Sequence, residues 1–399
     1  MNTPNVEAVK LDELNCWRIR HGQAEVLVAQ QGAHILSYQV DGQPPIIWLN
    51  DKAVFKTGKS IRAGVPVCWP WFGKFERNPQ SVQAMYTGEQ PAPAHGLVRA
   101  MDWELGGIES EADGVKVEFR LPYPEGGLPG WPHQVDLTLT LHLNDQLHIS
   151  LTSHNRGVET VSISQALHTY FAVSDVRNVH VNGVDGLNYI ETLDNWKTNA
   201  QKGDLHFAGE TDRIYLDAPP QLSIVDPTWE RRIALTATGS RTAVIWNPWI
   251  DRAAALDDMD NDGWQRMLCI ETANVMDDVV NLKPGASMNA EGNAGEPGWV
   301  RDIGRNGYGA RDLKWERISP PTPPPSGKSR GGVRKTSEDL LCGEEVMSCY
   351  IYLFTKQQSK GMDIFSPLPP PPKPEEKALS QYFRPPCASI ESPLFRTLG

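Results

Sequence analysis

His168 is a residue whose type and surroundings could do chemistry. It stands in SISQALHTYFAVSDV, residues 162–176, whose apolar and aromatic residues and few helix formers predict a strand. Histidine titrates near neutral pH, so its ring can donate or accept a proton in a reaction. Buried histidines also often only satisfy a nearby carbonyl group, so this stretch by itself favours a structural role.

Glu271 is the candidate partner of His168. It lies in CIETANV, residues 269–275, near the end of a predicted strand and among neighbours that would partly desolvate its carboxylate. Desolvation raises the pKa of a carboxyl group, and the carboxylate then becomes a better base. A glutamate at a strand end is more often exposed than catalytic, so Glu271 alone does not define a site.

Two arginines lie on predicted tight turns. Arg62 is close to Gly64 and Pro66, and Arg99 follows a His-Gly turn at residues 95–96. Two guanidinium groups presented in this way can bind an anion such as phosphate through paired hydrogen bonds. Either arginine taken separately is typical of a protein surface.

The composition of the chain argues against several classes of function. In 399 residues, 38 Lys and Arg stand against 49 Asp and Glu, and the formal net charge of −11 argues against binding of nucleic acid or an anionic membrane. The sequence shows neither a signal-peptide pattern nor an apolar run of roughly eighteen residues, so we expect a soluble, cytoplasmic protein. The six cysteines form no CxxC pair, so they predict neither a disulfide framework nor a zinc ribbon.

Apolar residues alternate with a period of two along most of the chain. The clearest runs are GVKVEFRL (114–121), QVDLTLTLHL (134–143) and LHISLTS (147–153), the last two joined by a short turn at Asn144-Asp145. Further strand-like runs are EVLVAQQGAHILSYQV, PPIIWL, RRIALTA and TAVIWN. Few windows show a helical stripe and no fixed repeat is evident, so we predict an all-β protein, a large antiparallel β-sandwich.

Proline-rich segments set the end of the chain apart. From residue 319 onward the sequence contains PPTPPP and PLPPPPKPEE, whose prolines lack the backbone donors that a central strand needs. We therefore predict one domain over residues 1–290 and a disordered or non-native tail over residues 291–399, either an extension or a ligand for a proline-binding module. Within it SCYIYLFTK, residues 348–356, could form an isolated strand but has no neighbour of similar periodicity.

Seven sequence islands together resemble the glucose-6-phosphate 1-epimerases, also called hexose-6-phosphate mutarotases, of the aldose-1-epimerase group. In chain order they are GAHILSY, IRAGVPVCWPWFG, HGLVR, ALHTYF, TDRIYL, WNPW and CIETANV, and the resemblance spans roughly residues 10–285. A single island would be weak evidence for the resemblance, whereas the joint order and spacing of all seven are specific to this family. The resemblance implies the galactose-mutarotase fold, a β-sandwich of two large twisted sheets, which agrees with the alternation.

The resemblance also implies a catalytic pair in an isomerase. In this family a histidine acts as general acid on the ring oxygen of the sugar and a glutamate as general base on the anomeric hydroxyl, and the motifs match these roles to His168 and Glu271. Ring opening, rotation and reclosure then interconvert the α and β anomers. A histidine with an ordinary pKa of about 6.5 could donate at neutral pH. No metal or redox cofactor is required.

Substrate contacts follow from the same resemblance. Arg62 and Arg99 match the arginines that hold the sugar phosphate, and His95 matches a histidine that hydrogen-bonds a hydroxyl. Glu191, in GLNYIETLD, stands where the family has a substrate-binding aspartate, and Trp71 is a candidate for the pocket wall. The expected partner is a small sugar phosphate, bound by a monomer that contacts neither nucleic acid nor membrane.

The sequence departs from the family pattern at three places. Asp194 competes with Glu191 for the acidic position, and Ala94 replaces a glutamine that contacts substrate in some relatives. After NLKPGAS, relatives usually continue with a closing strand, whereas MNAEGNAGEPGWVRD does not alternate. A missing strand would leave backbone groups unpaired beside the Glu271 strand. We nevertheless expect that cutting the chain near Gly292 leaves folding unchanged.

Three classes of function remain open. The first is an epimerase acting on hexose 6-phosphates, with glucose 6-phosphate as the expected substrate. The second is an aldose 1-epimerase for unphosphorylated sugars, which Arg62 and Arg99 distinguish from the first. The third is a non-catalytic carbohydrate-binding β-sandwich, which would not need an acid and a base on opposite sides of a ring. A glycosidase is disfavoured because it usually needs two carboxyl groups.

Overall fold

Strands form most of the regular structure. The computed structural model describes residues 5–285 and the backbone of residues 287–288 and 348–357. The first strands are β1 (Val6–Leu11), β2 (Leu14–His21), β3 (Ala24–Ala29), β4 (His34–Val40), β5 (Val67–Cys68), β6 (Glu104–Ser110), β7 (Val115–Arg120), β8 (Val135–Leu143), β9 (Leu147–Asn155), β10 (Val161–Ile163), β11 (Gln165–Leu167) and β12 (Tyr170–Ala172). The later strands are β13 (His180–Asn182), β14 (Asn188–Glu191), β15 (Lys197–Ala200), β16 (Leu205–His206), β17 (Thr211–Tyr215), β18 (Gln221–Asp226), β19 (Arg231–Thr238), β20 (Thr242–Asn247), β21 (Met267–Asn274), β22 (Val280–Leu282), β23 (Ser287–Met288) and β24 (Ser348–Gln357).

Helices are short throughout the described residues. The α-helices are α1 (Gln80–Gln83) and α2 (Trp249–Ala254), and the 3₁₀ helices are Phe75–Arg77, Gly263–Arg266 and Met276–Asp278. None of the helices in this part of the chain has the length and apolar character needed to cross a bilayer. The prediction of an all-β protein is therefore confirmed.

The alternating runs pair with each other as antiparallel neighbours. β8 and β9 pair along their whole length, from Val135 opposite Asn155 to Leu143 opposite Leu147, around the predicted turn at Asn144. Buried and half-buried residues alternate along both strands. Because successive side chains point to opposite faces, the apolar set of each strand lies on one side of the sheet.

Residues 44–49 form no strand, so the prediction for PPIIWL is wrong. Ile47 makes an isolated bridge to Phe171. The two prolines at the start of the run have no N–H to give to a ladder, and their carbonyl groups accept hydrogen bonds from the Arg231 side chain.

The described strands form two large sheets and two small ones. The ten-stranded sheet has the order β16-β13-β18-β19-β24-β9-β8-β7-β6, with β23 also beside β9. The eight-stranded sheet has the order β15-β14-β17-β20-β21-β11-β5, with β12 also beside β21. The small sheets are β1-β2-β3-β4 and β10-β22. One apolar core takes side chains from both large sheets, such as Leu139 of β8 and Ile245 of β20, so the fold is an antiparallel β-sandwich.

The eight-stranded sheet has two different faces. Ile245 of β20 and Ile270 of β21 lie opposite each other and join the large core. Their neighbours Val244 and Glu271 also lie opposite each other and point to the other face, because side chains alternate along a strand. A separate apolar cluster that includes Val244 and Ala273 lies there. Glu271 is therefore carried on the face that points away from the main core.

β24 lies inside the ten-stranded sheet, between β9 and β19. Its backbone pairs with β9 from Ser348 opposite Thr152 onward, and with β19 as far as Gln357 opposite Arg231. The prediction of an isolated strand without a neighbour of similar periodicity is therefore wrong. Periodicity within a strand does not reveal which distant strands it will pair with, so the sequence did not indicate the two partners.

The strand that carries Glu271 has neighbours on both sides. β21 lies between β20 on one side and β11 and β12 on the other, so the described strands show no open edge of the kind that a missing closing strand would leave beside Glu271. The described residues belong to one compact unit, residues 1–291 with 344–399, and the second unit, residues 292–343, lies outside them. Most of the predicted tail also lies outside the described residues, so its disorder stays a prediction.

Candidate active site

His168 stands between β11 and β12, where the predicted single strand is interrupted. Both strands pair with β21 in the same register, with these residues opposite each other: Leu167 and Thr272, and Tyr170 and Cys269. Counting inward from either pair places His168 opposite Glu271. The N–H of His168 donates to the carbonyl oxygen of Pro66 at 3.0 Å, which holds the interruption in place. Two residues far apart in the chain are thus cross-strand neighbours.

The side chains of His168 and Glu271 are close together. Nε2 of His168 lies 3.4 Å from Oε1 of Glu271, and the two side chains are 11% and 2% exposed. We expected an acid and a base on opposite sides of a sugar ring, and the structure places them side by side. A side-by-side arrangement suits two adjacent oxygens, because the ring oxygen and the anomeric hydroxyl oxygen are bonded to the same carbon.

Burial controls the protonation of this pair. It raises the pKa of Glu271 well above its ordinary value, and Asp212 raises it further. Burial also lowers the pKa of His168 well below 6.5, and His95 and the nearby arginines add to the effect. His168 therefore differs from the ordinary histidine that the sequence led us to expect. Between the two pKa values the pair carries one proton, which either partner can hold.

His95 is held beside His168 by a turn with unusual backbone angles. The two ring centroids are 5.5 Å apart, and the φ of His95 is 62°, in the left-handed region that residues other than glycine rarely adopt. Gly96 follows with a φ of 79°. A Cβ at Gly96 would clash with the backbone of Trp69, so this turn requires glycine and thereby sets the position of His95.

The hydrogen bonds of His95 determine which ring nitrogen carries the proton. Nδ1 accepts from the N–H of Gly73 at 3.4 Å and lies 3.3 Å from Sγ of Cys68. Burial raises the pKa of Cys68 to about 12, so its thiol is protonated and donates. Burial, followed by the charges of Arg99 and Arg62, lowers the pKa of His95 to about 3, so its ring is neutral. Nε2 therefore carries the proton and can donate to a ligand.

Arg62 and Arg99 give the site positive charge. Both are close enough to lower the pKa of His95 and of His168. Nε of Arg62 donates to Oδ1 of Asp258 at 2.7 Å, and its side chain is 28% exposed. Nη2 of Arg99 donates to the carbonyl oxygen of Ala94 at 2.6 Å, so the backbone of residue 94 helps to hold the Arg99 guanidinium in place. The structure thus brings together five residues of the predicted site: Arg62, His95, Arg99, His168 and Glu271.

Trp71 does not line the site, so its assignment to the pocket wall is wrong. Its side chain is fully buried, and its indole N–H donates to the carbonyl oxygen of Pro93 at 2.7 Å. The rings of Phe75 and Tyr86 pack against it edge to face. These contacts enclose the indole in the core, away from His168 and Glu271.

Other aromatic rings lie around His168. Tyr170 stacks on the imidazole with the centroids 4.9 Å apart and the planes 9° from parallel. The centroids of Phe72 and Trp246 lie 6.4 Å and 6.3 Å from that of His168. Trp246 belongs to the WNPW island and lies opposite Cys269. Trp246 was therefore already part of a quoted sequence island, but only the pairing of β20 with β21 places it beside His168.

Glu191 is engaged by a neighbouring arginine. Its Oε2 accepts from Nε of Arg213 at 2.9 Å, and the Arg213 guanidinium lies 4.5 Å from the centre of the Tyr189 ring. Asp212 is the acid that raises the pKa of Glu271, and burial raises the pKa of Asp212 itself. The substrate role of Glu191 stays a prediction. Asp212 is a candidate that sequence reasoning missed, although it lies in the TDRIYL island.

Sequence and structure comparisons lead to the same group of proteins. The aldose 1-epimerase family model matches residues 15–294. An Escherichia coli K12 protein with the provisional name glucose-6-phosphate 1-epimerase is 36% identical over 273 residues, which cover 68% of this chain and 87% of that protein. A Salmonella typhimurium protein with the same provisional name is 32% identical over 271 residues, which cover 68% and 86% of the two chains.

A solved structure shares the fold. The crystal structure of a provisionally named mutarotase from Salmonella typhimurium is similar to this chain with a TM-score of 0.64 and 30% sequence identity. The match covers 71% of this chain and 90% of that one. The β-sandwich described above is therefore the architecture of this group of proteins.

Proposed function

This chain belongs to the aldose 1-epimerase family, and we propose on that premise that it interconverts the α and β anomers of hexose 6-phosphates. Glucose 6-phosphate is the proposed substrate, in keeping with the provisional names of the relatives. The observation that carries the proposal is the 3.4 Å separation of His168 and Glu271, in a site to which Arg62 and Arg99 add positive charge.

The reaction opens and recloses the sugar ring. The imidazolium of His168 donates a proton to the ring oxygen while the carboxylate of Glu271 takes the proton of the anomeric hydroxyl. The bond between the anomeric carbon and the ring oxygen breaks, and an open-chain aldehyde forms. Rotation about the adjacent carbon–carbon bond presents the other face of the aldehyde, and reclosure returns each proton to its donor.

The shared proton of the pair supplies the form that this reaction needs. When the proton lies on Glu271 both side chains are neutral, as burial favours. Transfer of that proton to His168 produces the imidazolium and the carboxylate without exchange with solvent. Proton-handling groups of this kind each accelerate a reaction by about 10²- to 10⁴-fold.

Arg62 and Arg99 support a phosphorylated substrate over a free sugar. Hydrogen bonds from guanidinium groups to a phosphate are charge-assisted, and each contributes roughly 1.5–3 kcal/mol. His95 offers its Nε2–H to a sugar hydroxyl in a fixed orientation, because Gly73 and Cys68 occupy Nδ1. The remaining aldose 1-epimerase alternative does not need the two arginines.

Anomer-exchange NMR on glucose 6-phosphate tests the catalytic pair. We expect His168→Ala and Glu271→Gln each to lower the exchange rate by about 10²- to 10⁴-fold, because each removes one proton-handling group. His206→Ala, at an exposed histidine of β16, serves as the control and should exchange at the wild-type rate. Equal rates in all four proteins would reject the mechanism, and binding of the sugar without exchange would favour the non-catalytic alternative.

Replacing both arginines tests the substrate class. In the double variant Arg62→Gln and Arg99→Gln we expect kcat/KM for glucose 6-phosphate to fall at least about tenfold more than that for glucose, because only the phosphorylated sugar loses charge-assisted bonds. Arg20→Gln, at an exposed arginine of β2, is the matched control. Equal losses on both sugars would favour the aldose 1-epimerase alternative.

We also propose a monomeric, cytoplasmic enzyme. The proposed catalytic pair and both arginines come together within a single chain, which is consistent with a monomer. A sugar phosphate is charged and does not cross an apolar bilayer unaided, which supports a location where such substrates are made and used.

A further inference from the structure

We propose that His168, Cys269 and Glu271 form a binding site for a thiophilic divalent metal ion such as Zn²⁺, and that the ion blocks the catalytic pair. Each residue offers one ligand atom: a ring nitrogen, Sγ and a carboxylate oxygen. These atoms all lie within 4.8 Å of one another. That the bound ion inhibits turnover rests on the proposed function, whereas the binding itself does not.

The separation of two ligand atoms already fits a tetrahedral zinc site. Zinc bonds of about 2.0–2.2 Å to nitrogen and oxygen place two such ligands about 3.4 Å apart. Nε2 of His168 and Oε1 of Glu271 are 3.4 Å apart. A zinc–sulfur bond of about 2.3 Å needs Sγ about 3.6 Å from each of them, so Sγ of Cys269, which lies within 4.8 Å of both, has to approach by about 1.2 Å at most.

The sheet holds the three residues on one face. Cys269 and Glu271 are two positions apart on β21, so their side chains point to the same side, and His168 lies opposite Glu271. Cys269 is fully buried, and Oε2 of Glu271 has no hydrogen-bond partner among the described residues. A buried carboxylate oxygen without a partner is available to a ligand at little cost in existing bonds.

The chemistry of the ligand set selects the ion. Three protein ligands with a fourth position open to water or a substrate oxygen are typical of reactive zinc sites, and a thiolate disfavours Mg²⁺ and Ca²⁺. Binding releases the thiol proton of Cys269 and the shared proton of the pair to solvent. The ion is then bound to the atoms of His168 and Glu271 that would transfer protons during ring opening, so turnover stops while it is bound.

A second cluster helps to separate two kinds of metal binding. Glu111, Asp113 and His142 also lie within 4.8 Å of one another, at the surface, but they offer no sulfur. An ion bound there would show no thiolate signal. A spectroscopic probe that reports sulfur ligation therefore distinguishes the proposed site from this cluster.

Titration of the full-length protein with Co²⁺ tests the proposal, because thiolate ligation to Co²⁺ gives a near-ultraviolet charge-transfer band. We expect this band in the wild type. In Cys269→Ser the band should be lost. The affinity of the site for Co²⁺ should fall by more than about 100-fold, which exceeds the usual effect of losing a residue that only hydrogen-bonds a metal ligand. Cys68→Ser is the matched control, since Cys68 is also buried near His95 but lies outside the cluster, and its band should persist. In Glu271→Gln the band should need at least about tenfold more Co²⁺.

Two outcomes would overturn the metal site: no band in the folded wild type, or a band that survives in Cys269→Ser. If Cys269→Ser does not fold, Glu271→Gln provides the test: a band that appears at the same Co²⁺ concentration as in the wild type would overturn the metal site. Inhibition of anomer exchange by Zn²⁺ is the separate test of the functional part, and it should weaken by more than about 100-fold in Cys269→Ser. A Co²⁺–thiolate band without inhibition of anomer exchange by Zn²⁺ would support the metal site and reject its effect on turnover.

Discussion

At the residue scale, the proposed site contains an acid and a base, His168 and Glu271, that burial keeps uncharged. The apolar neighbours of Glu271 in the sequence already indicated a raised pKa, and the structure agrees in direction. The lowered pKa of His168 was not foreseen, because its causes are residues distant in the chain, His95 and the arginines among them, added to burial. The raised pKa of Glu271 has a consequence that thermal unfolding can measure.

Glu271→Gln should stabilise the protein against heat, and more so as the pH rises. The pKa of Glu271 is raised above its ordinary value of 4.5, so the unfolded chain releases this proton at lower pH than the folded chain does. Wild-type stability therefore falls as the pH rises from 4.5 through the folded pKa, by about 1.4 kcal/mol per unit of that rise. Glutamine carries no such proton, so the gain in melting temperature should grow over this range.

Thermal unfolding at several pH values measures this difference. Glu7→Gln, at an exposed glutamate of β1, is the control and should show no comparable trend. A melting-temperature difference for Glu271→Gln that stays constant from acid to neutral pH would show that the carboxyl group ionises equally easily in both states.

Cys68 should act as a positioning residue through His95. Cys68→Ala removes the thiol donor to Nδ1 and leaves only the long hydrogen bond from Gly73. A hydrogen bond of roughly 0.5–1.5 kcal/mol corresponds to about a two- to tenfold loss of anomer exchange. Nitrogen NMR of the His95 ring should then show some proton on Nδ1, and Cys68→Ser, which keeps a donor, should restore both properties. An unchanged ring tautomer in Cys68→Ala would refute this role.

At the element scale, the register of β21 against β11 and β12 places His168 beside Glu271, the proposed catalytic pair. Leu167 opposite Thr272 and Tyr170 opposite Cys269 leave His168 facing Glu271. A slip by one residue would turn Glu271 toward the main core, because side chains alternate along a strand. The interruption between β11 and β12 therefore helps to position the proposed pair.

Ending the chain at residue 291 should strongly destabilise the protein, contrary to the expectation from sequence. The cut removes β24 and leaves β9 and β19 without the strand that lies between them. Each lost backbone hydrogen bond contributes a net stability of roughly 0.5–1.5 kcal/mol, and several are lost together. We expect a large fall in melting temperature or a chain that does not fold, as measured by circular dichroism.

A second truncation controls for the loss of chain length. Ending the chain after residue 357 keeps β24 and should leave the melting temperature close to that of the full chain. If both truncated proteins have the melting temperature of the full chain, β24 contributes nothing to the stability of the sheet.

At the scale of the whole molecule, the sandwich separates its core from its chemistry. One face of the eight-stranded sheet joins the main core, and the other carries Glu271 beside a small apolar cluster. The molecule has a net charge of −11, yet the site holds two arginines. A local positive site in an acidic protein can attract a phosphorylated sugar while the overall charge repels larger polyanions. We propose that residues 1–290 together with β24 form the catalytic unit.

The sequence by itself determined most of the strands, the sandwich class and the residue types of the site. The alternation of apolar residues decides which side chains share a face of one strand, and the seven islands identified His168, Glu271, Arg62 and Arg99. Only the tertiary structure decided that Trp71 is enclosed, that Asp212 acts on Glu271, and that β24 lies between β9 and β19. The physical reason is that period-two alternation is a property of one strand, whereas pairing and burial depend on packing between segments far apart in the chain.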